Sequence, residues 1–188
     1  MERMIHFITL LGLMDNYIFR KKKCLTKDSC KSIITFFEKS NEKVENPRGY
    51  IGIYTTFDNS QLMFLLDIVR KSINEYSDKY DYLKRLYTDW GVTHNFHVQK
   101  YLPGNSYSGE HMEHGKDECD SKRLLGWMFY LNDIKKDGGT RWPQQNFTTK
   151  PREGDLYIWP AGWTHSHHGI PAPNEIKYII TGWVEMYG

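Results

Sequence analysis

The chain has 188 residues, 39% of them hydrophobic and 26% charged, with a formal net charge of +2. That length suits one domain with a proper core and is too short for two comfortable ones, so residues 1–188 are expected to form a single unit. The composition is that of a globular protein, and a charge so close to zero argues against a nucleic-acid footprint.

The apolar stretch at 5–14, "IHFITLLGLM", is far too short to span a bilayer, and it lacks the basic leader and cleavage site of a signal peptide. Met14 offers an alternative start. "RKKK" at 20–23 reads as a solvated loop. Three cysteines (Cys24, Cys30 and Cys119) without a Cys-x-x-Cys spacing argue for a reducing, cytoplasmic setting and against a disulfide framework. Cys119 reads as an exposed loop thiol.

Residues 25–40 carry a capping Thr26 or Asp28, followed by Cys30, Ile33, Ile34 and Phe37 at helical spacing. Pro, Gly and Asn mark 41–60 as a long irregular connection. A second helix is predicted at about 61–84, with Leu62, Leu65, Leu66, Val69, Ile73, Tyr76 and Tyr80 inward. The character then changes. Segments 92–102, 123–133, 154–160 and 176–187 are rich in aromatic and β-branched residues and are bounded by "PGNS", "DGGT", "REG" and "PAG". Helices followed by strands without helical crossovers predict an α+β domain. Its sheet should be mainly antiparallel, curling into a sandwich or open barrel buttressed by the helices of about 25–84.

Two polar clusters interrupt this pattern. In "GEHMEHG", residues 109–115, an extended backbone would project His111 and Glu113 to one side. One imidazole and one carboxylate are two thirds of the facial triad of non-haem iron(II) oxygenases. His114 competes with His111 for that role. The third ligand must come from another strand, and "THSHHG" at 164–169 supplies candidates: His165 and His167 share a face and His168 points away. His94 and His97 read as polar partners of the sheet.

Ten residues beyond His167 stands Lys177, at the start of an apolar run. With it, the segment from about 97 to 187 resembles the prolyl-4-hydroxylase-like branch of the 2-oxoglutarate and iron(II)-dependent dioxygenases. That family's motif is His-x-Asp/Glu, a distal His and a Lys ten residues further. "YLPGNSY", "LLGWMFYLNDIKKDGGTRWP", "KPREGDLYIWPAGWTHSHHG" and "KYIITGW" are similar to its other signatures. The resemblance implies that His111, Glu113 and His167 are the iron ligands. It implies that Lys177 pairs with the far carboxylate of 2-oxoglutarate, joined by Tyr101 and Thr140, and that Trp183 lies near the cosubstrate. Two departures stand out: Glu113 replaces the commoner Asp, and one extra residue separates "YLPGNSY" from His111.

The residue types suit that chemistry. Three protein ligands on one face leave three positions on iron, two for the keto-acid chelate and one for dioxygen. A buried carboxylate needs a cation, which Lys177 would provide. Halogenases on this scaffold lack the carboxylate ligand, so Glu113 favours hydroxylation. The resemblance thus implies a double-stranded β-helix, or jelly roll, at about 92–187. It implies an enzyme that hydroxylates an unactivated carbon, with peptidyl proline as the expected substrate and succinate and CO2 as co-products. Its cofactors would be Fe(II) and 2-oxoglutarate, with ascorbate as a candidate addition; its partners would be dioxygen and a peptide or protein, with no membrane. The 41–60, 103–122 and 134–150 loops should then frame the mouth with Tyr50, Tyr54, Tyr107, Trp142 and Phe147. Competing readings are an idle jelly-roll module that binds metal or peptide, and a nucleic-acid oxidative demethylase. Near-neutral charge, and lysine where such demethylases use arginine, disfavour the latter.

Overall fold

The computed structural model describes residues 15–118 and 120–187. The apolar stretch at 5–14, Met14 and Cys119 lie outside them. In chain order the strands are β1 (Phe19–Lys21), β2 (Val44–Asn46), β3 (Tyr50–Thr56), β4 (Asp89–Tyr101), β5 (Arg123–Tyr130), β6 (Thr140–Trp142), β7 (Phe147–Thr148), β8 (Leu156–Pro160), β9 (His168–Gly169) and β10 (Lys177–Tyr187). Helix α1 (Lys27–Lys39) follows β1, and α2 (Phe64–Lys79) follows β3. Among the described residues no helix is long and apolar enough to cross a membrane.

A seven-stranded sheet runs in the order β1-β8-β5-β10-β4-β3-β2, and a three-stranded sheet in the order β7-β6-β9. Every pairing is antiparallel, as expected from strands joined without helical crossovers. Strand alternation divides the large sheet into two unlike faces. Phe96, Val98, Trp127, Phe129, Leu156, Ile158, Ile180 and Val184 share one core with Cys30, Ile33 and Phe37 of α1 and Leu65, Val69, Ile73 and Tyr76 of α2. The opposite face contributes Tyr101, Met128, Tyr130, Tyr157, Trp159 and Ile179 to a second core. Trp142 of the small sheet enters this second core, so the two sheets enclose it.

The first helix matches its sequence signals. Thr26, rather than Asp28, is the cap, its side chain accepting from the Ser29 backbone N–H at 3.1 Å. The second is shorter than the periodicity predicts: α2 ends at Lys79, and a separate 3-10 turn at Asp81–Arg85 carries the pattern on. The larger correction concerns 41–60, which is not irregular but forms the β2–β3 hairpin. The turn residues Pro47, Arg48 and Gly49 made the whole stretch look like a loop, yet they occupy only its tip. There Gly49 takes φ +91°, a conformation that disfavours a side chain, and its N–H donates to Asn46 O at 2.9 Å. Strand β5 stops at Tyr130 rather than running on to 133; from there the Asn132 side chain accepts from Tyr178 N at 2.9 Å in place of a backbone partner.

Candidate active site

The face carrying the second core opens into a cavity of about 620 Å³, lined from β3, β4, β5, β10 and the segment around residue 111. Its polar floor is built by a backbone coincidence. His111 N donates to His167 O at 3.0 Å and His167 N to His111 O at 2.8 Å, an isolated antiparallel bridge between two distant segments. Glu113 N then donates to Ala161 O at 3.1 Å, fixing the carboxylate-bearing residue beside the same partner segment. One potential ligand atom from each of His111, Glu113 and His167 lies within 4.8 Å of the others.

The orientation of each group follows from its other contacts. His111 Nδ1 lies 2.9 Å from Gly109 O, and His167 Nδ1 lies 3.0 Å from His165 O. A carbonyl can only accept, so both Nδ1 atoms carry a proton, and Nε2 is the ring nitrogen of each that remains for the cluster. His167 Nε2 sits 3.2 Å from Glu113 Oε1. The other oxygen, Oε2, accepts from the Trp183 indole N–H at 2.6 Å. Burial by itself would raise the Glu113 carboxyl, but the contacts to His167, His111 and Trp183 outweigh it and hold the group down at about 2. Burial, followed by the nearby His167, lowers His111. An ionised carboxylate is the form in which Glu113 could ligate a divalent metal.

Lys177 opens β10 directly opposite Tyr101 of β4. Lys177 is only 3% exposed, and its amine donates to Gly138 O at 3.0 Å. It also lies 4.6 Å from the centre of the Tyr101 ring. Burial lowers its pKa to about 8, and among the described residues no carboxylate pairs with it. The glycine pair of "DGGT" explains the close carbonyl. Gly138 sits at φ +72°, and a Cβ on Gly139 would stand 2.2 Å from Thr149 O. Next to them, Thr140 Oγ1 and Thr149 Oγ1 lie 3.1 and 2.6 Å from the Tyr130 hydroxyl. Tyr101 donates its hydroxyl to Gln99 Oε1 at 2.8 Å, and burial raises its pKa. Lys177, Tyr101, Thr140 and Tyr130 therefore form one polar end of the cavity, with His111, Glu113 and His167 also on its lining.

All seven sequence-predicted residues line this one cavity. The competing histidines do not join the cluster. His114 Nδ1 contacts Arg123 O at 3.4 Å, His165 turns its Nε2 to Asn16 O at 2.9 Å, and His168 lies in β9 opposite Arg141. His94 pairs with the exposed Asp58 at 2.8 Å. His97, expected merely to partner the sheet, lines the cavity against Tyr54 and Trp183, with burial and then Arg123 lowering its pKa to about 4. Tyr54 and Tyr107 line the cavity with exposed and half-buried rings, whereas Tyr50, expected at the mouth, lines it as a buried member of the second core. Trp142 does not line it: it is fully buried and stacks on the His167 ring at 5.3 Å, with Phe147 packed behind it. A tryptophan in a short strand between polar turns looks like rim in the sequence, but strand alternation drives it inward. Arg123, Tyr130, Gln99 and Trp159 also line the cavity. The inward alternation along β4, β5 and β8 was the available signal for the last three.

Residues 96–185 match the family model described as the 2OG-Fe(II) oxygenase superfamily. The prolyl 4-hydroxylase subunit alpha-1 of Gallus gallus is 26% identical over 115 residues, which cover 53% of this chain and 22% of that protein. A putative prolyl 4-hydroxylase of Acanthamoeba polyphaga mimivirus is 30% identical over 106 residues, 46% of this chain and 42% of the relative. The match thus spans less than half the length of either relative. Among solved structures, the 2OG complex of the viral collagen prolyl hydroxylase from Paramecium Bursaria Chlorella virus-1 is similar with a TM-score of 0.72. It is 18% identical, and the likeness covers 92% of this chain and 97% of that one.

Proposed function

We propose, from the match of residues 96–185 to the 2OG-Fe(II) oxygenase superfamily model, that the chain belongs to that superfamily and is an Fe(II)- and 2-oxoglutarate-dependent dioxygenase that hydroxylates peptidyl proline. The observation that carries the reading is one cavity holding two chemistries. At one place two imidazole nitrogens and a carboxylate oxygen converge; at another, a buried ammonium stands without a counter-anion among the described residues. Both features fit the two groups. Tautomers fixed by backbone carbonyls suit metal ligation, and an unpaired buried cation suits a dianion with one carboxylate to spare.

In this reading His111, Glu113 and His167 hold iron, while Lys177, assisted by Tyr101 and Thr140, holds the far carboxylate of 2-oxoglutarate. Bound together, iron(II) and 2-oxoglutarate would supply the oxidising chemistry, with dioxygen placing one oxygen in a C–H bond and the keto acid leaving as succinate and CO2. The protein's own residues do the rest. The His111–His167 bridge orients both imidazoles, and Met128 and Ile179 give the cavity apolar wall. Tyr54 and Tyr107 offer flat surfaces at the opening. Such surfaces suit an extended, polyproline-like strand, which has little conformational entropy left to lose. The relatives that match are named prolyl 4-hydroxylases, which supports the same substrate class.

We read the two enclosing sheets as a double-stranded β-helix and the chain as one domain. A reducing, cytoplasmic setting agrees with the unpaired Cys24 and Cys30, and ascorbate is the proposed auxiliary reductant. The test is direct. Purified protein with Fe(II), 2-oxoglutarate and a proline-rich peptide should release succinate above the peptide-free background, with one oxygen atom gained on proline by mass spectrometry. Succinate release stimulated by single-stranded nucleic acid or free amino acids, and by no peptide, would overturn the substrate while leaving the oxygenase in place.

A further inference from the structure

Glu113 reaches one methylene further than the aspartate usual at its position, and a longer carboxylate has more freedom to swing or to offer both oxygens. In this protein that freedom is removed. Glu113 Oε2 accepts from Trp183 Nε1 at 2.6 Å, leaving Oε1 as the oxygen beside His167 Nε2 at 3.2 Å. The indole is itself held. The Arg123 guanidinium carbon lies 3.7 Å from the centre of the Trp183 ring. Arg123 NH1 donates to the Glu113 carbonyl oxygen at 3.2 Å, and NH2 pairs with Asp120 Oδ1 at 2.7 Å. The guanidinium therefore touches Glu113 from its backbone side and Trp183 from its ring face, pinned from behind by Asp120.

We propose that Arg123 and Trp183 are positioning residues that clasp Glu113 so that it offers a single carboxylate oxygen to the metal. The inference rests on the metal-site reading given above and concerns how this chain's own residues shape it. Two physical effects add together. A hydrogen bond to an ionised carboxylate is short and strong, and it engages the lone pairs that a second coordinating oxygen would need. A cation stacked on an indole face draws on the ring's electron density and makes its N–H a better donor. Arginine fits the role where lysine would not, because a planar guanidinium can stack and fork to two acceptors at once. The functional consequence is a count of open positions. A carboxylate bound through both oxygens would occupy a position that the keto acid and dioxygen need, whereas the clasped Glu113 leaves it open.

Four variants test the clasp: Trp183→Phe, which removes the N–H alone, Arg123→Met, Arg123→Lys, and the double variant Arg123→Met/Trp183→Phe. Thermal unfolding selects those that retain the wild-type fold, and the conservative Trp183→Phe and Arg123→Lys keep the test open should Arg123→Met misfold. Cobalt(II) titration then reads metal affinity, and the cobalt visible spectrum reads the ligand geometry without any turnover. Trp183→Phe should weaken cobalt binding by about 10- to 100-fold, the range found when an outer partner of a ligand is lost, and should shift the visible bands as a second carboxylate oxygen displaces a bound water. Arg123→Met should move both readouts in the same direction. The double variant should lose less than the sum of the two single losses, because part of what Arg123 does passes through the indole, and Arg123→Lys should not restore the wild-type spectrum. An unchanged affinity and spectrum in Trp183→Phe overturns the proposal, as do fully additive effects in the double variant. Wild-type protein that binds neither cobalt nor iron(II) overturns instead the metal site on which the clasp depends.

Discussion

His111 and His167 exchange two backbone hydrogen bonds, of 3.0 and 2.8 Å, although a long stretch of chain including β5 to β8 separates them. This bridge turns a sequence pattern into a site. It sets the two imidazoles 4.4 Å apart between ring centres and leaves Glu113, two residues along, facing the same space. It also decides among the histidines of the 165–168 cluster. The ring of His165 is engaged by Asn16 O and Thr164, yet its carbonyl accepts from His167 Nδ1, so it contributes through its backbone alone.

The register of the cluster can therefore be tested histidine by histidine. Anaerobic addition of Fe(II) and 2-oxoglutarate should produce a weak visible charge-transfer band in the wild-type protein. His167→Ala should abolish it, while His168→Ala should retain it. His165→Ala should also retain it, since the backbone carbonyl survives that substitution. Loss of the band in His168→Ala with survival in His167→Ala would show that the ligand assignment is displaced by one residue.

Lys177 gives 2-oxoglutarate binding a pH dependence of defined sign. Burial holds the free amine at about 8, below its ordinary value. An anion binds only the protonated form, so affinity should be level below that pH. Above it the free protein loses its proton and binding must take one up, so affinity should fall by about ten-fold per pH unit. Lys177→Arg, charged throughout, should flatten the curve. Lys177→Ala should raise the dissociation constant by about ten-fold or more at neutral pH while sparing metal affinity. Calorimetric titration across pH 6–10 with the metal-loaded protein checks both; an affinity that rises above pH 8 would exclude the lysine as the anchor.

A glycine in the "DGGT" turn should matter to stability rather than to chemistry alone. A Cβ at Gly139 would lie 2.2 Å from the backbone oxygen of Thr149. That carbonyl cannot swing aside cheaply, because Thr149 N is bonded to Thr140 O and the Gly139 carbonyl accepts from Ile170 N. Gly139→Ala should therefore destabilise the fold by about 1–3 kcal/mol, the usual cost of forced overpacking, measured as a lower urea midpoint with unchanged slope. An unaltered midpoint would mean that the turn relaxes freely.

The legibility of this protein in its sequence was uneven, and the reasons are physical. The long strands and the first helix were readable because their periodicity spans many residues: β4, β5 and β10 alternate between two buried faces, and α1 carries a single stripe. The short strands β6, β7 and β9 were not, since two or three residues carry no period, and β3 was hidden by the turn chemistry of Pro47 and Gly49. The cluster of His111, Glu113, His167 and Lys177 was legible through its resemblance to a family motif of residue types at fixed offsets, since His-x-Glu alone left the distal histidine open. Arg123 was not legible, because its role depends on stacking against an indole from β10. No offset in the chain encodes that contact.

The buried place of Trp142 separates two effects that the sequence had merged. Its ring lies 5.3 Å from His167 at a 29° interplanar angle and 5.3 Å from Trp159. Removing it would open a void behind a proposed metal ligand. Trp142→Ala should cost about 3–5 kcal/mol of stability and broaden or weaken the iron charge-transfer band, with any loss of peptide affinity secondary. Tyr107 has the opposite profile. It is half-buried at the opening, stacks with Tyr50 at 6.4 Å, and lies beneath the Arg48 guanidinium at 5.0 Å. Flat aromatic anchors of this kind carry a large share of peptide binding energy. Tyr107→Ala should therefore raise the apparent constant for a proline-rich peptide by about ten-fold or more, and by more than it raises that for 2-oxoglutarate. Since Tyr107 also lies 4.2 Å from the His111 ring, the ratio of the two constants is the measurement that decides. Equal rises for peptide and 2-oxoglutarate would mean that Tyr107 supports the metal ligand rather than the substrate, and the peptide path would have to run along Tyr54 and His97 instead.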